Sequence, residues 1–235
     1  MLKSMIYSHN GLETNARSLD VIANNLANAN SVGFKRSMVF SQTLAQANRF
    51  PEEEAAAVDQ VDFSQGTLRE TGNPTSLALV GEGFFTVQGE NETYLTRQGN
   101  FTLNPDGYLA TENGDLVMGE GGPILLDEAF TIQDDGSIMI DDSIVDYLAI
   151  MQVDDPNTLI RVGNGNFKAS ENSFVRPVRD DVVVKSGYVE TSNVNTLEEM
   201  VNMIEVYRQF EANQKALLSQ DQSLDKAVND VGRVS

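Results

Sequence analysis

The segment ANNLANANSVGFKR, residues 23–36, marks the point where a helical sequence pattern gives way to a different one. Four asparagines lie close together in it: Asn24, Asn25, Asn28 and Asn30. Asparagine is a poor helix former because its amide competes for nearby backbone groups. Gly33 follows, and a glycine just past a periodic segment is typical of a helix C-terminus. The segment therefore predicts that a first helix ends here and carries an unusual density of side-chain amides.

The residues before this segment show apolar positions in steps of three and four, the spacing of a helix with one apolar stripe. Such a stripe is the a and d seam of a coiled coil. Alanine and histidine alternate with leucine in this seam, so the helix would bury little apolar area by itself. The residues of the predicted seam are Leu2, Met5, His9, Leu12, Ala16, Leu19, Ala23 and Leu26.

The last forty residues contain a second and longer helical pattern. Thr196 and Glu199 match the capping box, which predicts that the Glu199 side chain reaches back to the cap. A helix over about 196–230 would be roughly 50 Å long at 1.5 Å per residue, a length that favours a coiled-coil role. Its predicted seam comprises Met200, Met203, Tyr207, Phe210, Gln214, Leu217, Asp221, Leu224, Val228 and Val231, and Ile204 and Leu218 widen it.

Between the two helices the sequence changes to short β-prone runs separated by turns. Asp106-Gly107, Asn113-Gly114 and Asp135-Gly136 are turn dipeptides. Many short strands with frequent turns predict an antiparallel β domain over about 75–185. Residues 51–60, PEEEAAAVDQ, predict a linker or a short helix because they are acidic and alanine-rich. The predicted fold class is α+β, in which N- and C-terminal helices form a coiled-coil-like domain and a mainly antiparallel β domain is inserted between them.

The 235-residue chain carries a formal net charge of −19, and the acid is concentrated in its middle. Residues 51–195 hold 26 acids against seven bases, whereas residues 1–50 carry +3 and residues 196–235 carry −3. A surface this acidic repels nucleic acid and anionic lipid. The sequence has no cysteine for thiolate chemistry and no apolar run of about 18 residues for a membrane span. Residues 1–30 do not fit a standard signal peptide, because charged residues interrupt them.

Familiar catalytic and metal-binding patterns are missing from the sequence. His9 is the only histidine and there is no cysteine, so zinc has too few nitrogen and sulfur ligands. Acidic pairs such as Asp134-Asp135 lack the EF-hand spacing and fit turn positions. We therefore expect no catalytic residue, no metal and no cofactor. Two classes remain open: a structural subunit that assembles through its end helices, and an acidic β-domain enzyme such as a secreted glycosidase with a carboxylate pair.

Four blocks of sequence follow one another along the chain. They are LDVIANNLANANSVGFKR at 19–36; DFSQG, TGNP and GEGFF within 62–85; NPDGYL at 104–109; and GYVETSNVN with EEMVNMI within 187–204. Together they resemble the signature segments of the bacterial flagellar rod, hook and hook-associated axial proteins, in that family's order. Within the family, the short length and the ending AVNDVGR at 227–233 are most similar to proximal-rod members. The segment YRQFEAN at 207–213 also resembles distal-rod members.

The resemblance implies a non-enzymatic building block of the basal-body rod, which spans the periplasm. It implies export through the flagellar type III apparatus without a cleaved signal peptide, and stacking with copies of itself and other rod proteins into a hollow tube. Neither nucleic acid nor membrane insertion is expected. The implied domains are a terminal helical assembly domain (1–35 and 193–235), an extended connecting segment (36–74) and a β-rich outer domain (75–192).

The helical seams and the asparagine cluster predict a subunit interface, because assembly would bury the faces that a lone helix pair leaves open. The same side chains would also suit an ordinary core within one chain. The predicted interface residues are Leu12, Leu19, Asn24, Asn25, Leu26, Asn28, Phe34, Met203, Tyr207, Phe210, Leu217 and Leu224.

Overall fold

The structure is a computed structural model that describes residues 2–41, 57–90, 92–126, 130–141, 143–170, 173–178 and 181–231. The chain forms two compact units. Unit 1 contains Met1–Ala27, Ser37–Val61 and Asn195–Ser235, and unit 2 contains Asn28–Arg36 and Asp62–Val194. Each unit is therefore built from segments that are distant in sequence, and the chain passes between the units at four points.

Unit 1 consists of two helices and a pair of strands. Helix α1 extends over Leu2–Ala27 and helix α2 over Thr196–Val231, which confirms the predicted helix at about 196–230. Strands β1 (Ser37–Ser41) and β2 (Ala57–Val61) pair antiparallel. Helix α1 packs against both α2 and β1. Within the described residues, neither helix carries an apolar stretch that could span a lipid bilayer.

Strand β2 occupies part of the acidic segment 51–60. The prediction of a linker or a short helix there is wrong for Ala57–Gln60, which pair with β1. Pairing with the partner strand outweighs the weak local preference of an alanine-rich sequence. The rest of that prediction, residues 51–56, lies outside the described residues.

Helix α1 ends inside the asparagine-rich segment and not at Gly33. Its last residue is Ala27, and residues 28–30 form a turn in which the Ser31 amide donates to the Asn28 carbonyl at 3.1 Å. The prediction that Gly33 itself stops the helix is therefore wrong, because asparagine side chains already offer the backbone an alternative to helical bonding. Gly33 adopts φ +66° further along, where its amide donates to the Glu190 carbonyl at 2.7 Å.

The cap of helix α2 is Asn195 and not Thr196. The Asn195 Oδ1 atom accepts hydrogen bonds from the amides of Leu197 at 3.2 Å and Glu198 at 3.4 Å. The predicted capping box is thus wrong by one residue, because asparagine caps at least as well as threonine. The Glu199 side chain makes a different contact, described below.

Unit 2 holds all the other strands of the described residues, and they pair antiparallel. In chain order they are β3 Leu68–Glu70, β4 Leu77–Val80, β5 Phe84–Gln88, β6 Thr93–Thr96, β7 Thr102–Leu103, β8 Leu109–Ala110, β9 Leu116–Val117, β10 Phe130–Ile132, β11 Ser137–Ile140, β12 Ser143–Tyr147, β13 Ile150–Val153, β14 Leu159–Gly163, β15 Asn166–Ala169, β16 Val175–Pro177, β17 Val183–Ser186 and β18 Tyr188–Glu190, with a short 3-10 helix at Pro156–Thr158.

Within the part of unit 2 that is described, the largest sheet has nine strands. Its path is β14-β15-β6-β5-β9-β8-β7, and β13 joins it beside β5 and carries β16. A second sheet has the order β10-β11-β12, and two further pairs join β17 to β4 and β18 to β3. The antiparallel β region between two helices confirms the α+β class.

The core of unit 2 is one cluster of buried apolar side chains that strands and loops contribute together. Phe85 and Phe101 meet in it edge to face, with ring centroids 5.2 Å apart. Each such side chain, when fully buried, contributes about 1.5–3 kcal/mol. The cluster comprises Leu77, Leu79, Phe85, Val87, Phe101, Leu109, Val117, Ile124, Leu126, Ile132, Ile138, Leu148, Ile150, Val178, Val182 and Val184.

Candidate assembly site

The predicted seam of α1 is only partly the face that the chain buries. Leu12, Leu19 and Leu26 are half-buried, but Ala16 and Ala23 are exposed. Among the residues of α1 whose side chains are described, 9–27, the buried ones are Ile22 and Asn25. The face that α1 buries is therefore rotated around the helix from the predicted seam. The reason is that α1 packs against β1 as well as α2. A helical period in the sequence does not predict the contact with β1.

Asn25 lies at the centre of the packing in unit 1, with only 1% of its surface exposed. Its Nδ2 atom donates to the Ser37 carbonyl at 2.7 Å, and its Oδ1 atom accepts from the Ser37 amide at 2.9 Å. Nδ2 also lies 3.4 Å from Glu199 Oε2. One amide can make these bonds because it both donates and accepts. Asn25 therefore ties the last turn of α1 to the start of β1 and to the first turn of α2.

Glu199 also belongs to this site, although the sequence predicted that its side chain would bond the cap of α2. Its side chain is buried, with 1% exposed. Glutamate is almost never fully buried unless it is paired. The sequence pattern predicted a capping role for Glu199 and not its contact with Asn25. The spacing of the capping box is compatible with either contact, so the sequence alone does not distinguish them.

We expect Asn25→Ala to speed amide hydrogen exchange at Ser37. The substitution removes the acceptor of the Ser37 amide and the donor to its carbonyl, and each buried group left unpaired costs about 1–3 kcal/mol. Exchange at Ser37 should therefore rise by roughly 10- to 100-fold, measured by mass spectrometry on the full chain. Asn30→Ala is the control, since Asn30 is exposed in the same segment. Equal exchange in both variants would contradict the assigned role.

Further along the helices, the contact between α1 and α2 is polar, and the two helices approach each other closely. A cleft of about 430 Å³ lies between them. A Cβ atom added at Gly11 would lie 3.1 Å from Asn213 Nδ2, so the helices approach closely there. Small residues and amides, not large apolar side chains, therefore form this part of the contact. The cleft is lined by Asn10, Gly11, Thr14, Asn15, Gln209, Ala212 and Asn213.

Helix α2 leaves several large apolar side chains exposed on one face, which also carries Arg208, Glu211 and Lys215. We call this face the exposed apolar stripe of α2. At 100° per residue its members fall within about 120° of one another on the helix surface. The exposed fractions are 74% for Leu197, 48% for Met200, 55% for Val201, 55% for Ile204, 55% for Tyr207 and 53% for Leu218.

The predicted interface residues of α2 therefore divide between two faces. Met203, Phe210 and Leu217 are half-buried on the part of the helix surface that borders the stripe next to Tyr207. Tyr207 belongs to the exposed apolar stripe. The side chain of Leu224 lies outside the described part of the chain.

The remaining predicted residues have different surroundings. Asn24 is exposed, and Asn28 is half-buried with its Oδ1 atom accepting from Ser31 Oγ at 3.2 Å. Phe34 is 7% exposed inside unit 2, where the Arg161 guanidinium lies 4.6 Å from the centre of its ring. Phe34 thus takes part in packing within the chain itself.

Beside Phe34, unit 2 contains a buried ionic cluster of Lys35, Arg97 and Glu190. Lys35 Nζ lies 2.6 Å from Glu190 Oε1, and Arg97 Nη1 lies 3.4 Å from Glu190 Oε2. Burial lowers the pKa values of Lys35 and Arg97, and the negative charge of Glu190 opposes that shift. One carboxylate therefore compensates two buried cations.

The same cluster joins four segments of unit 2, around residues 35, 64–66, 97 and 190. Lys35 Nζ donates to the Ser64 carbonyl at 2.8 Å, and the Gly66 amide donates to Glu190 Oε1 at 2.7 Å. Nearby, Asn193 accepts from the Arg36 amide at 2.7 Å and donates to the Asp62 carbonyl at 2.9 Å. Sequence reasoning missed these residues, although Lys35 and Glu190 lie in two of the four signature blocks.

Comparison with known families returns three matches along the chain. Residues 7–35 match the model described as flagella basal body rod protein, and residues 78–144 match the flagellar hook protein FlgE/F/G D1 domain. Residues 185–230 match the flagellar basal body rod FlgEFG protein C-terminal model.

Similar proteins cover nearly the whole chain. The flagellar basal-body rod protein FlgF of Mesorhizobium japonicum is 34% identical over 226 residues, which is 93% of each chain. FlgF of Caulobacter vibrioides is 31% identical over 93% of this chain and 94% of its own. The flagellar basal-body rod protein FlgG of Bacillus subtilis is 30% identical over 97% of this chain and 99% of its own.

Proposed function

The chain belongs to the flagellar basal-body rod protein family and is a structural subunit of the bacterial flagellar rod, and we propose that its place is the proximal rod. The two FlgF relatives, at 34% and 31% identity over nearly their full length, support this place. The alternative within the family is the distal rod, which the 30% identity to FlgG favours. Membership of a family of structural rod proteins supports a structural subunit over the glycosidase that the sequence had left open.

We propose that the terminal segments 1–35 and 193–235 form the assembly domain, in which α1 and α2 pair like a coiled coil. Residues 36–74 would connect this domain to a β-rich outer domain over 75–192. Support comes from the contact between α1 and α2 within unit 1. Copies of the chain would then stack with other rod proteins into a hollow tube.

The polarity of the helix pair is the observation that carries this proposal. Within the chain, α1 and α2 meet through Asn25, Glu199 and an amide-lined cleft. The exposed apolar stripe of α2 faces away from that contact. Apolar stripes left open on soluble proteins mark protein interaction sites. We infer that the stripe, including Tyr207, packs against neighbouring subunits, and that Leu12, Leu19 and Leu26 contribute from α1.

We expect Ile204→Asp to block rod assembly, because it places a charge in the middle of the exposed apolar stripe, where a subunit contact would have to bury it. Motility of cells that carry only this variant should be lost, and electron microscopy should show no complete rods. Circular dichroism of the purified variant should retain the β signal of unit 2.

Ala216→Asp is the matched control for that substitution. Ala216 is also exposed on α2 but lies outside the stripe by helical geometry. The same aspartate there should leave assembly intact. Normal rods with Ile204→Asp, or equal loss with Ala216→Asp, would contradict the role of the stripe.

The place along the rod is tested by cryo-electron microscopy of purified basal bodies. Density that fits this chain at the base of the rod would support the proximal position. Density in the outer part of the rod would overturn that position and favour the distal alternative. We also propose export through the flagellar type III apparatus and residence where the rod crosses the periplasm, which family membership alone supports.

A further inference from the structure

Three asparagine-glycine pairs occur in the chain, and each is a candidate for spontaneous loss of its side-chain amide. They are Asn10-Gly11, Asn113-Gly114 and Asn164-Gly165. The reaction begins when the backbone nitrogen of the glycine attacks the asparagine side chain, and glycine has no side chain of its own to hinder that approach. The sequence does not rank the three pairs, so the surroundings of each glycine amide decide which one reacts.

The first pair lies inside helix α1, which extends over Leu2–Ala27. In an α-helix each amide nitrogen beyond the first turn donates to the carbonyl four residues earlier, and the backbone has one fixed conformation. The Gly11 nitrogen therefore cannot turn toward the Asn10 side chain while the helix is formed. The other two pairs both lie in unit 2.

Asn113 is exposed, but the turn around it occupies the attacking nitrogen. The Gly114 amide donates to the Thr111 carbonyl at 3.0 Å. In the same turn, the Thr111 amide donates to the Asp115 carbonyl at 2.9 Å, and the Asp115 amide donates to Thr111 Oγ1 at 3.1 Å. Attack by the Gly114 nitrogen therefore requires this bonded loop to open first.

Asn164 lies in the two-residue loop between β14 and β15, and its glycine amide has no such bond. Gly163 and Asn166 pair across the loop, and φ is +49° at Asn164 and +71° at Gly165, as in a type I′ turn. Asn164 is exposed. Within the described residues, neither its side chain nor the Gly165 amide makes a hydrogen bond. The Gly165 carbonyl, on the far side of that residue, accepts from Thr96 Oγ1 at 3.0 Å.

We propose that Asn164 is the deamidation site of unit 2. The Gly165 nitrogen forms a bond to Asn164 Cγ while the Cγ–Nδ2 bond breaks, and the Gly165 amide proton leaves with Nδ2 as ammonia. The product is a cyclic imide. One water molecule then opens the ring at either of its carbonyl carbons and leaves aspartate or isoaspartate. Water is the only reactant besides the chain itself, and nothing is oxidised or reduced.

Both products add a negative charge to the tip of the hairpin, because a carboxylate replaces a neutral amide. Aspartate keeps the ordinary main chain and, like asparagine, is tolerated at positive φ. Isoaspartate adds one atom to the main chain of a loop whose length sets the pairing of its strands. It therefore disturbs the pair of Gly163 with Asn166, and with it the buried Asn166 side chain, which donates to Asp115 Oδ2 at 2.9 Å.

Peptide mapping by mass spectrometry tests the assignment on the purified full chain after storage near neutral pH. Fragmentation of each peptide shows at which residue the mass has risen by about one unit. We expect Asn164 to be lost roughly 2- to 10-fold faster than Asn113, the factor that corresponds to one net hydrogen bond. In concentrated urea both turns are open, and the two rates should converge.

Asn164→Asp is the matched control variant, since aspartate also tolerates positive φ but has no amide to lose. The peptide around residue 164 should then show no mass increase. Loss of Asn164 in the folded chain that is no faster than loss of Asn113 would overturn the proposal. The same ratio of rates in urea as in the folded chain would also overturn it, and so would a mass increase in Asn164→Asp that falls on Asn166.

Discussion

Replacement of Glu190 by alanine should destabilise unit 2 by about 3–5 kcal/mol, the usual cost of removing one partner from a buried ion pair. Lys35 and Arg97 would remain buried without a carboxylate, and the Gly66 amide would lose its acceptor. Urea unfolding of the full chain, followed by the β signal in circular dichroism, measures this loss. No other single side chain in the described residues of unit 2 compensates two buried cations.

Glu92→Ala is the control for the Glu190 substitution. Glu92 pairs with Lys168 at the same 2.6 Å distance, but both side chains are nearly half exposed. Water and salt screen such a pair, so its loss should change the unfolding midpoint only slightly. Similar effects of the two alanine substitutions would contradict the dominant role assigned to the buried cluster.

The stability of the Glu190→Ala variant should also depend on pH, and the direction of that dependence can be predicted. Burial already lowers the pKa of Lys35 below its ordinary value of 10.5, and Glu190 opposes that shift, so its removal lowers the pKa further. Between the folded pKa and 10.5, the unfolded chain then binds more protons than the folded chain, and stability rises with pH. The difference in the free energy of unfolding between the variant and the wild type should therefore shrink as the pH rises toward 10.5. The same urea titration measures it.

Gly33→Ala should destabilise unit 2 by about 2–5 kcal/mol, the sum of a left-handed backbone penalty and of overpacking. Gly33 has φ +66°, and a Cβ atom there would collide with the backbone carbonyl oxygen of Arg97. A backbone atom directly after strand β6 cannot move aside as the end of a flexible side chain can. Thermal unfolding of the full chain measures the effect.

Gly114→Ala separates the two causes of that loss. Gly114 also has a positive φ, +91°, but an added Cβ atom there would meet nothing within 4 Å. Only the backbone penalty of about 1–2 kcal/mol should remain in this control. Equal destabilisation at the two positions would show that the close approach of Gly33 to Arg97 contributes nothing.

Helix α2 shows which features of a helix the local sequence predicts and which it does not. Its extent was predictable to within about a residue, because a 3.6-residue period continues until the pattern stops. Its cap was predicted one residue too late, since Asn195 and Thr196 are both suitable caps. Which residues of α2 would be covered was less predictable: Met203 and Phe210 are half-buried, whereas Tyr207 of the same predicted seam is exposed.

By itself, the sequence determined the class of the fold and the family. Helical periods, turn dipeptides and the four signature blocks are local patterns, and each can be recognised without knowing what lies beside it. Only the tertiary structure decided which partners Asn25, Gly33 and Glu199 have. Asn25 bonds Ser37 and Glu199, and Gly33 lies against Arg97, so these roles depend on residues 12 to 174 positions away. Burial and hydrogen bonding are properties of such distant neighbours, and a local pattern carries no information about them.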